Sequence, residues 1–239
     1  MMRGARPVAR RLLVGLRRDR RTLALVVVVP VVLIFLLGEV FADPSVFAPP
    51  LLGVFVFFLT YLLTAVGFLR ERTAGTLERL LVAPISRSGL VVGYVIGFGY
   101  LAVVQSVVLL ASGVYFLDVS FEHGMALFLL VELLGAFTAM GIGIVLSLFA
   151  KNEFQVLQFI PAVITPQVIL GGTFTPVEDL PTYLAVLARV MPVTYLIDAM
   201  DYVVFDEGTP AAFQFALVVL AAFTVASIGL SAVVVRRVQ

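Results

Sequence analysis

The residues able to do chemistry are few, and their types narrow the possibilities. Glu132 is the one ionisable side chain deep inside an apolar stretch. A lone carboxylate is costly to hold away from water, so it must face other helices or a water-filled cavity. Two roles fit it: a substrate-path or gating residue, or a hydrogen bond that ties neighbouring segments. Lys151 is the only lysine and lacks the glycines of a G-x-x-x-x-G-K-[ST] phosphate loop. There is no cysteine and a single histidine, His123, which excludes thiolate zinc sites and cysteine nucleophiles and argues against a multi-histidine metal centre. H-E-x-x-H and G-x-S-x-G patterns are absent. The acidic pairs Asp198/Asp201 and Asp206/Glu207 read as solvated helix ends rather than metal ligands. The expectation is a chain with no catalytic residue, no metal and no bound cofactor.

Uncharged polar residues inside apolar runs are the next candidates. Thr60, Tyr61 and Thr64 form one group; Gln158, Thr165 and Gln167 form another. Gln158, Pro161 and Thr165 are spaced for one helix face. Such groups either bond neighbouring helices or line a cavity. Gly89, Gly93 and Gly97 recur at every fourth residue, a spacing that lets helices approach closely, within the chain or between copies. Pro30, Pro161 and Pro166 are expected to kink their helices.

The elements that position these residues follow from composition. The chain has 239 residues, 62% hydrophobic and 13% charged, against about 25% charged in soluble domains. Crossing a ~30 Å hydrocarbon core takes roughly 20 apolar residues in a helix. Runs of that order are Thr22–Gly38, Pro44–Leu69 (the span itself starting near Pro50), Ser88–Leu117, Gly124–Ala150, Phe154–Val177 and Gly208–Val235. Lipid cannot satisfy open backbone groups, so six helices are expected. The first run is preceded by a long basic segment and exceeds the ~7–15 residues of a secretory leader, which favours a retained span.

Orientation follows from the basic residues. Arg3 to Arg21 precede the first span, Arg70, Arg72, Arg79 and Arg87 lie between spans two and three, Lys151 between four and five, and Arg236 and Arg237 after six. Six crossings put all of these on one face and leave only Arg189 on the other. The positive-inside rule makes the basic face cytoplasmic, with both termini there, in a multi-pass protein of the cell membrane. A five- or seven-span count would scatter the charges.

Three segments are not spans. In residues 6–21, Val8, Ala9, Leu12, Leu13 and Leu16 share one side of a helical wheel while Arg10, Arg11, Arg17, Arg18 and Arg21 take the other. That is an interfacial helix near anionic headgroups, a topology signal, or both. In the loop 70–87, Thr76 is placed to cap a short helix over Arg79–Ala83 that Pro84 stops. Its apolar face, Leu77, Leu80 and Leu81, suits either a partner's groove or the membrane surface. The outer segment 174–207 predicts a helix started by Pro181 and broken by Pro192, then a second over Val193–Phe205, both packed on the outer mouth of the spans.

Together these segments resemble a known family. Glu71-Arg72-Thr73-Ala74-Gly75-Thr76-Leu77-Glu78-Arg79-Leu80-Leu81-Val82-Ala83-Pro84-Ile85-Ser86-Arg87, with Arg70 before it, resembles the R-E-x-x-x-G-T-L-E-x-L-L-x-x-P-[IL]-[ST] signature of ABC-2 type permeases. Gly171-Gly172-Thr173-Phe174-Thr175-Pro176-Val177-Glu178-Asp179-Leu180-Pro181 is similar to that family's G-x-x-[FY]-x-P-x-x-x-[LM]-P element, and Met191-Pro192-Val193-Thr194-Tyr195 to its P-[LVM]-T-[YH] element.

The resemblance implies one all-α transmembrane domain over 1–239, the membrane subunit of an ATP-binding-cassette exporter. Two permease copies, a homodimer or a related pair, would form the pathway in the lipid bilayer. Two separate ATPase subunits would use ATP and Mg; nucleic acid has no part. It assigns ATPase coupling to Glu71, Gly75, Thr76, Leu77, Glu78, Leu80, Leu81 and Pro84, and a connecting-helix role to 6–21. It places Phe174, Pro176, Pro181, Pro192 and Tyr195 in an extracellular gate. By position it makes Thr60, Thr64, Gln158 and Thr165 pathway candidates, beside Glu132. Drugs, lipids and lipid-linked sugars are the substrate classes implied. A proton-coupled secondary transporter built on Glu132, an intramembrane enzyme and a passive membrane anchor are the rivals.

Overall fold

A computed structural model describes residues 5–41, 47–76 and 86–237. Ten α-helices are described: α1 (Ala5–Arg18), α2 (Arg20–Val40), α3 (Ala48–Thr73), α4 (Arg87–Leu117), α5 (Met125–Ser147), α6 (Glu153–Phe159), α7 (Thr165–Leu170), α8 (Thr182–Ala188), α9 (Pro192–Phe205) and α10 (Pro210–Arg237). A π-turn, Ile160–Ile164, joins α6 to α7. No strand occurs among the described residues.

Helix ends follow local chemistry. Prolines at the first positions of α3 supply no N–H where none is needed. The Ser86 hydroxyl caps α4 by accepting from Gly89 N at 3.1 Å, and Asn152 caps α6 by accepting from Gln155 N at 2.9 Å. The chain turns out of α3 at Gly75, φ 67°, a left-handed conformation glycine adopts freely. Pro161 has no N–H to donate, and the helical ladder widens into the π-turn there.

Five helices are long and apolar enough to cross a membrane: Ala48–Thr73, Gly89–Leu117, Met125–Ser147, Glu153–Leu170 and Pro210–Val234. The chain is therefore a multi-pass membrane protein. In α2 the apolar stretch is the shorter Val26–Val40. It nevertheless runs beside α4: Leu23 packs on the cluster around Tyr94, and Gly38 meets the backbone of Phe116. Helices α8 and α9 form a hairpin bent by 85°. At ~1.5 Å per residue neither arm reaches across hydrocarbon, and so sharp a bend prevents their adding up to one straight crossing.

Close helix approach fixes the register. α3 and α4 run antiparallel, with Gly67 against Phe98 and Gly113 against Leu52. α3 and α5 run parallel, with Gly143 against the Tyr61 carbonyl. The main core fills the space between them with Leu52, Phe57, Tyr61 and Phe128. A second cluster at the other end joins α1, α3, α4 and α5 through Val8, Leu12, Phe68, Tyr94, Phe98 and Met140. Ile228 and Ala232 of α10 pack on that same cluster, so both ends of the described chain lie at one end of the bundle.

The α8–α9 hairpin sits deeper than expected. α9 does not rest on the mouth of the spans; it wedges among α3, α5 and α10. Leu196 and Met200 fill the space left by Gly53, and Leu196 that left by Gly135. Apolar side chains cover nearly all of α9, with Val193, Leu196, Ile197, Met200 and Val203 buried, so a one-sided seat would leave too much of it in water.

Candidate functional site

Three consecutive residues at the end of α3 reach three different neighbours. Successive residues project about 100° apart around a helix, so a run of three covers most of its circumference. Arg70 grips Glu153 at the start of α6 with two hydrogen bonds, 2.7 and 3.2 Å. Glu71 pairs with Arg11 of α1 and accepts from the Tyr94 hydroxyl of α4 at 3.4 Å. Arg72 donates to the carbonyl of Leu148 at 2.6 Å and to that of Ala150, backbone groups that α5 leaves open at its C-terminal end.

A cleft of about 510 Å³ opens beside these pairs. Arg11, Asp19, Arg70, Glu71 and Glu153 form its charged side; Leu62, Val66, Phe98, Leu101 and Leu157 line the rest. Of the expected coupling residues, Glu71, Gly75 and Thr76 lie in the described region. Glu71 is turned inward, toward α1 and α4. Leu77, Glu78, Leu80, Leu81 and Pro84 lie outside the described residues.

The pathway candidates separate. Gln158, Pro161 and Thr165 are exposed, on a span that is mostly exposed. Thr60 and Thr64 are buried inside the bundle, Thr64 close to Gly143 of α5, so they do not share that exposure. Glu132 is also fully buried, and neither of its carboxylate oxygens has a hydrogen-bond partner among the described residues. The antiparallel register of α3 and α4 sets Thr60 level with Gln105, next to Ser106. All three are buried with polar atoms unpartnered among the described residues. Gln105 and Ser106 escaped the sequence reading, although two adjacent polar residues inside an apolar run were the available signal.

The expected gate residues have mostly structural contacts. Pro181 precedes α8, and its carbonyl accepts from Leu184 and Ala185. Pro192 opens α9 and is buried. The Thr194 hydroxyl donates to Ala188 O and the Tyr195 hydroxyl to Arg189 O, each at 2.7 Å, so two adjacent side chains staple the α8–α9 corner. Phe174 and Pro176 are exposed on the segment leading into it. On α9, Asp198 is exposed and Asp201 is half-buried. Burial raises Asp201 to about 7, helped by Glu207 and Asp198.

Comparison with known proteins agrees with this architecture. Residues 7–205 match the ABC-2 type transporter family. ABC transporter G family member 20 of Dictyostelium discoideum is 31% identical over 153 residues, 64% of this chain and 21% of that protein. The probable multidrug ABC transporter permease YbhR of Escherichia coli is 24% identical over 161 residues, 67% of this chain and 44% of its own. The inner membrane transport permease YhhJ of Escherichia coli is 30% identical over 150 residues, 62% of this chain and 40% of its own. The chain thus spans less than half the length of these relatives. A family match over most of the chain, carried on a multi-pass helical bundle, identifies the protein as a member of the ABC-2 type transporter family of membrane permeases.

Proposed function

We propose that the chain is the permease subunit of an ATP-driven exporter, moving a drug-like, lipid or lipid-linked substrate outward. A separate ATPase in two copies would hydrolyse ATP with Mg, and this chain would carry no ATPase site of its own. Two copies of the permease would face each other in the cell membrane, most simply as a homodimer.

The observation that carries this reading is the exposed row Gln158, Pro161 and Thr165 on a helix otherwise suited to lipid. Polar groups and a proline-widened ladder are poor neighbours for hydrocarbon and better ones for a second copy or a water-filled path. A six-span layout with both termini cytoplasmic is supported by the position of the chain ends. Both lie at the end of the bundle that carries Arg70 and Arg72, which requires an even number of crossings. Five long helices alone would be odd, and α2 beside α4 would be the sixth.

The chain has no cysteine, so a cysteine introduced at Gln158 reports on one place. Oxidation in membranes should link two copies through Gln158→Cys, whereas Val225→Cys on the lipid-facing side of α10 should stay monomeric. The reverse pattern removes the shared pathway. Leu80→Asp or Leu81→Asp should abolish export and leave insertion intact; normal export by both would remove the coupling role.

A second reading, a proton-coupled transporter, draws on the burial of Glu132 without a hydrogen-bond partner among the described residues. Transport that persists without any ATPase partner would favour it.

A further inference from the structure

We propose that the cleft between α1, α3, α4 and α6 holds one phospholipid with a zwitterionic, primary-amine headgroup, drawn from the leaflet at the end of the bundle that carries Arg70. The lipid is a resident of the cleft rather than the cargo, whatever the chain exports. The cleft volume, about 510 Å³, falls within the ~300–1,000 Å³ of small-ligand sites. Its polarity is graded along α3. Arg70 stands in the last turn of that span, and Val66 and Leu62 line the cleft deeper in. At ~1.5 Å per residue, Leu62 lies about 12 Å further along the helix than Arg70. The span that begins with α6 repeats the gradient, from Glu153 at its start to Leu157 one turn in. The buried side chains of Phe98 and Leu101 of α4 extend the apolar wall. Charge at the span ends and apolar surface toward their middles match a lipid lying along the spans, head at the interface and chain in hydrocarbon.

The headgroup follows from the charges. Arg11 and Arg70 set two positive groups against three negative ones, Asp19, Glu71 and Glu153, so the lining carries one negative charge in excess. That balance disfavours an anionic head. A zwitterion suits it, with its phosphate on the guanidiniums and its amine on the carboxylates. The existing ion pairs leave capacity for both. Arg70 spends Nε and Nη2 on Glu153, and a guanidinium has further N–H donors on its other nitrogen. Glu153 accepts only those two bonds from Arg70, whereas an ionised carboxylate offers about four lone-pair sites. The two side chains are 55% and 52% exposed, so a headgroup reaches them without parting the pair. A primary ammonium donates three hydrogen bonds to such carboxylates, and a trimethylated one donates none.

The test uses the full chain in nanodiscs of phosphatidylethanolamine, phosphatidylcholine and phosphatidylglycerol in equal parts, all with the same acyl chains. Lipid kept after mild detergent release is counted by native mass spectrometry. The parent should keep one phosphatidylethanolamine per chain, preferred over phosphatidylcholine about tenfold, the worth of one hydrogen bond to a charged group. Glu153→Gln should erase that preference. Leu157→Trp, at an exposed position that tolerates bulk, should fill the apolar part and release the lipid whatever its head, with an unchanged melting temperature. Equal retention of the ethanolamine and choline lipids overturns the proposal. So does a preference for phosphatidylglycerol, which would make the arginines the whole site. A lipid-free dimer, its cleft covered by a second copy, overturns it as well, and so does a Leu157→Trp chain that keeps its lipid. A chain that keeps the lipid yet exports nothing with its ATPase counts against the permease reading alone.

Discussion

Val8 of α1 lies in the space left by Gly93 of α4: a Cβ added to Gly93 would stand 2.6 Å from the Val8 Cβ and 3.0 Å from the Ala5 carbonyl oxygen. One turn on, a Cβ on Gly97 would meet Leu12 at 2.7 Å. The glycine repeat is therefore the seat of the N-terminal amphipathic helix. Gly93→Leu is expected to unseat α1. Overpacking of this kind costs about 1–3 kcal/mol, and because the obstacle is another helix, relief comes by moving it. Proteolysis at the arginines of α1 should speed up in membranes while the spans stay protected. Gly15→Ala, with open space around it, is the control and should stabilise α1 by roughly 0.5–1 kcal/mol.

The spans were legible because hydrocarbon thickness sets a length that a sequence either meets or does not, and α3, α4, α5 and α10 fall close to the expected runs. The glycine repeat was legible as a contact without a partner, since spacing states that something approaches and not what. Arg70 and Glu153 are 83 residues apart along the chain and Glu71 and Arg11 are 60 apart, and no local pattern links them. The depth of α9 was readable in principle from Val193, Leu196, Ile197, Met200 and Val203, which leave little of the helix polar. Thr60 and Gln158 looked alike as polar residues at depth; only the packing of α3 against α5 separates them.

The α8–α9 corner gives a second prediction. The Thr194 hydroxyl is buried and donates to Ala188 O, a carbonyl that also accepts from Met191 N at 2.9 Å. Thr194→Val keeps the shape and removes one of that carbonyl's two donors, at a cost of about 0.5–1.5 kcal/mol. Tyr195→Phe removes a bond at a half-buried site and should cost less. Hydrogen exchange should rise across α8 in the first variant while α3 and α5 keep their protection. Equal exchange in variant and parent would mean that the staple is dispensable.

Acidity on α9 gives a third. Asp201 lies on the hairpin between the last two spans. Burial, then Glu207 and Asp198, raise its carboxyl to about 7, against an ordinary value near 3.9. A carboxyl raised on folding binds its proton more tightly in the folded state. Its contribution is complete below the ordinary value and fades as pH rises through about 7. The parent should therefore lose thermal stability between about pH 4 and pH 7 at this site. Asp201→Asn should flatten that dependence, leaving Tm nearly unchanged below about pH 4 and higher than the parent's at pH 8. A variant that melts lower at pH 8 would show that the ionised carboxylate is stabilised by contacts absent here.

Glu132 separates the two transport readings. It is fully buried in α5, and its carboxylate oxygens have no hydrogen-bond partner among the described residues. Gln has nearly the same shape and cannot ionise. If the side chain only fills the bundle, Glu132→Gln removes a costly group and leaves the packing around Phe128 and Val131 intact. Expression and melting temperature should then match or exceed the parent's, and ATP-dependent export should continue with an unchanged pH profile. If Glu132 instead carries protons, the same variant must lose transport outright while still inserting and folding, because no other ionisable group lies at that depth among the described spans. Vesicle assays run with ATP and no pH gradient, then with a gradient and no ATP, give opposite answers for the two mechanisms. The expected result is transport in the first condition only, equal for parent and variant.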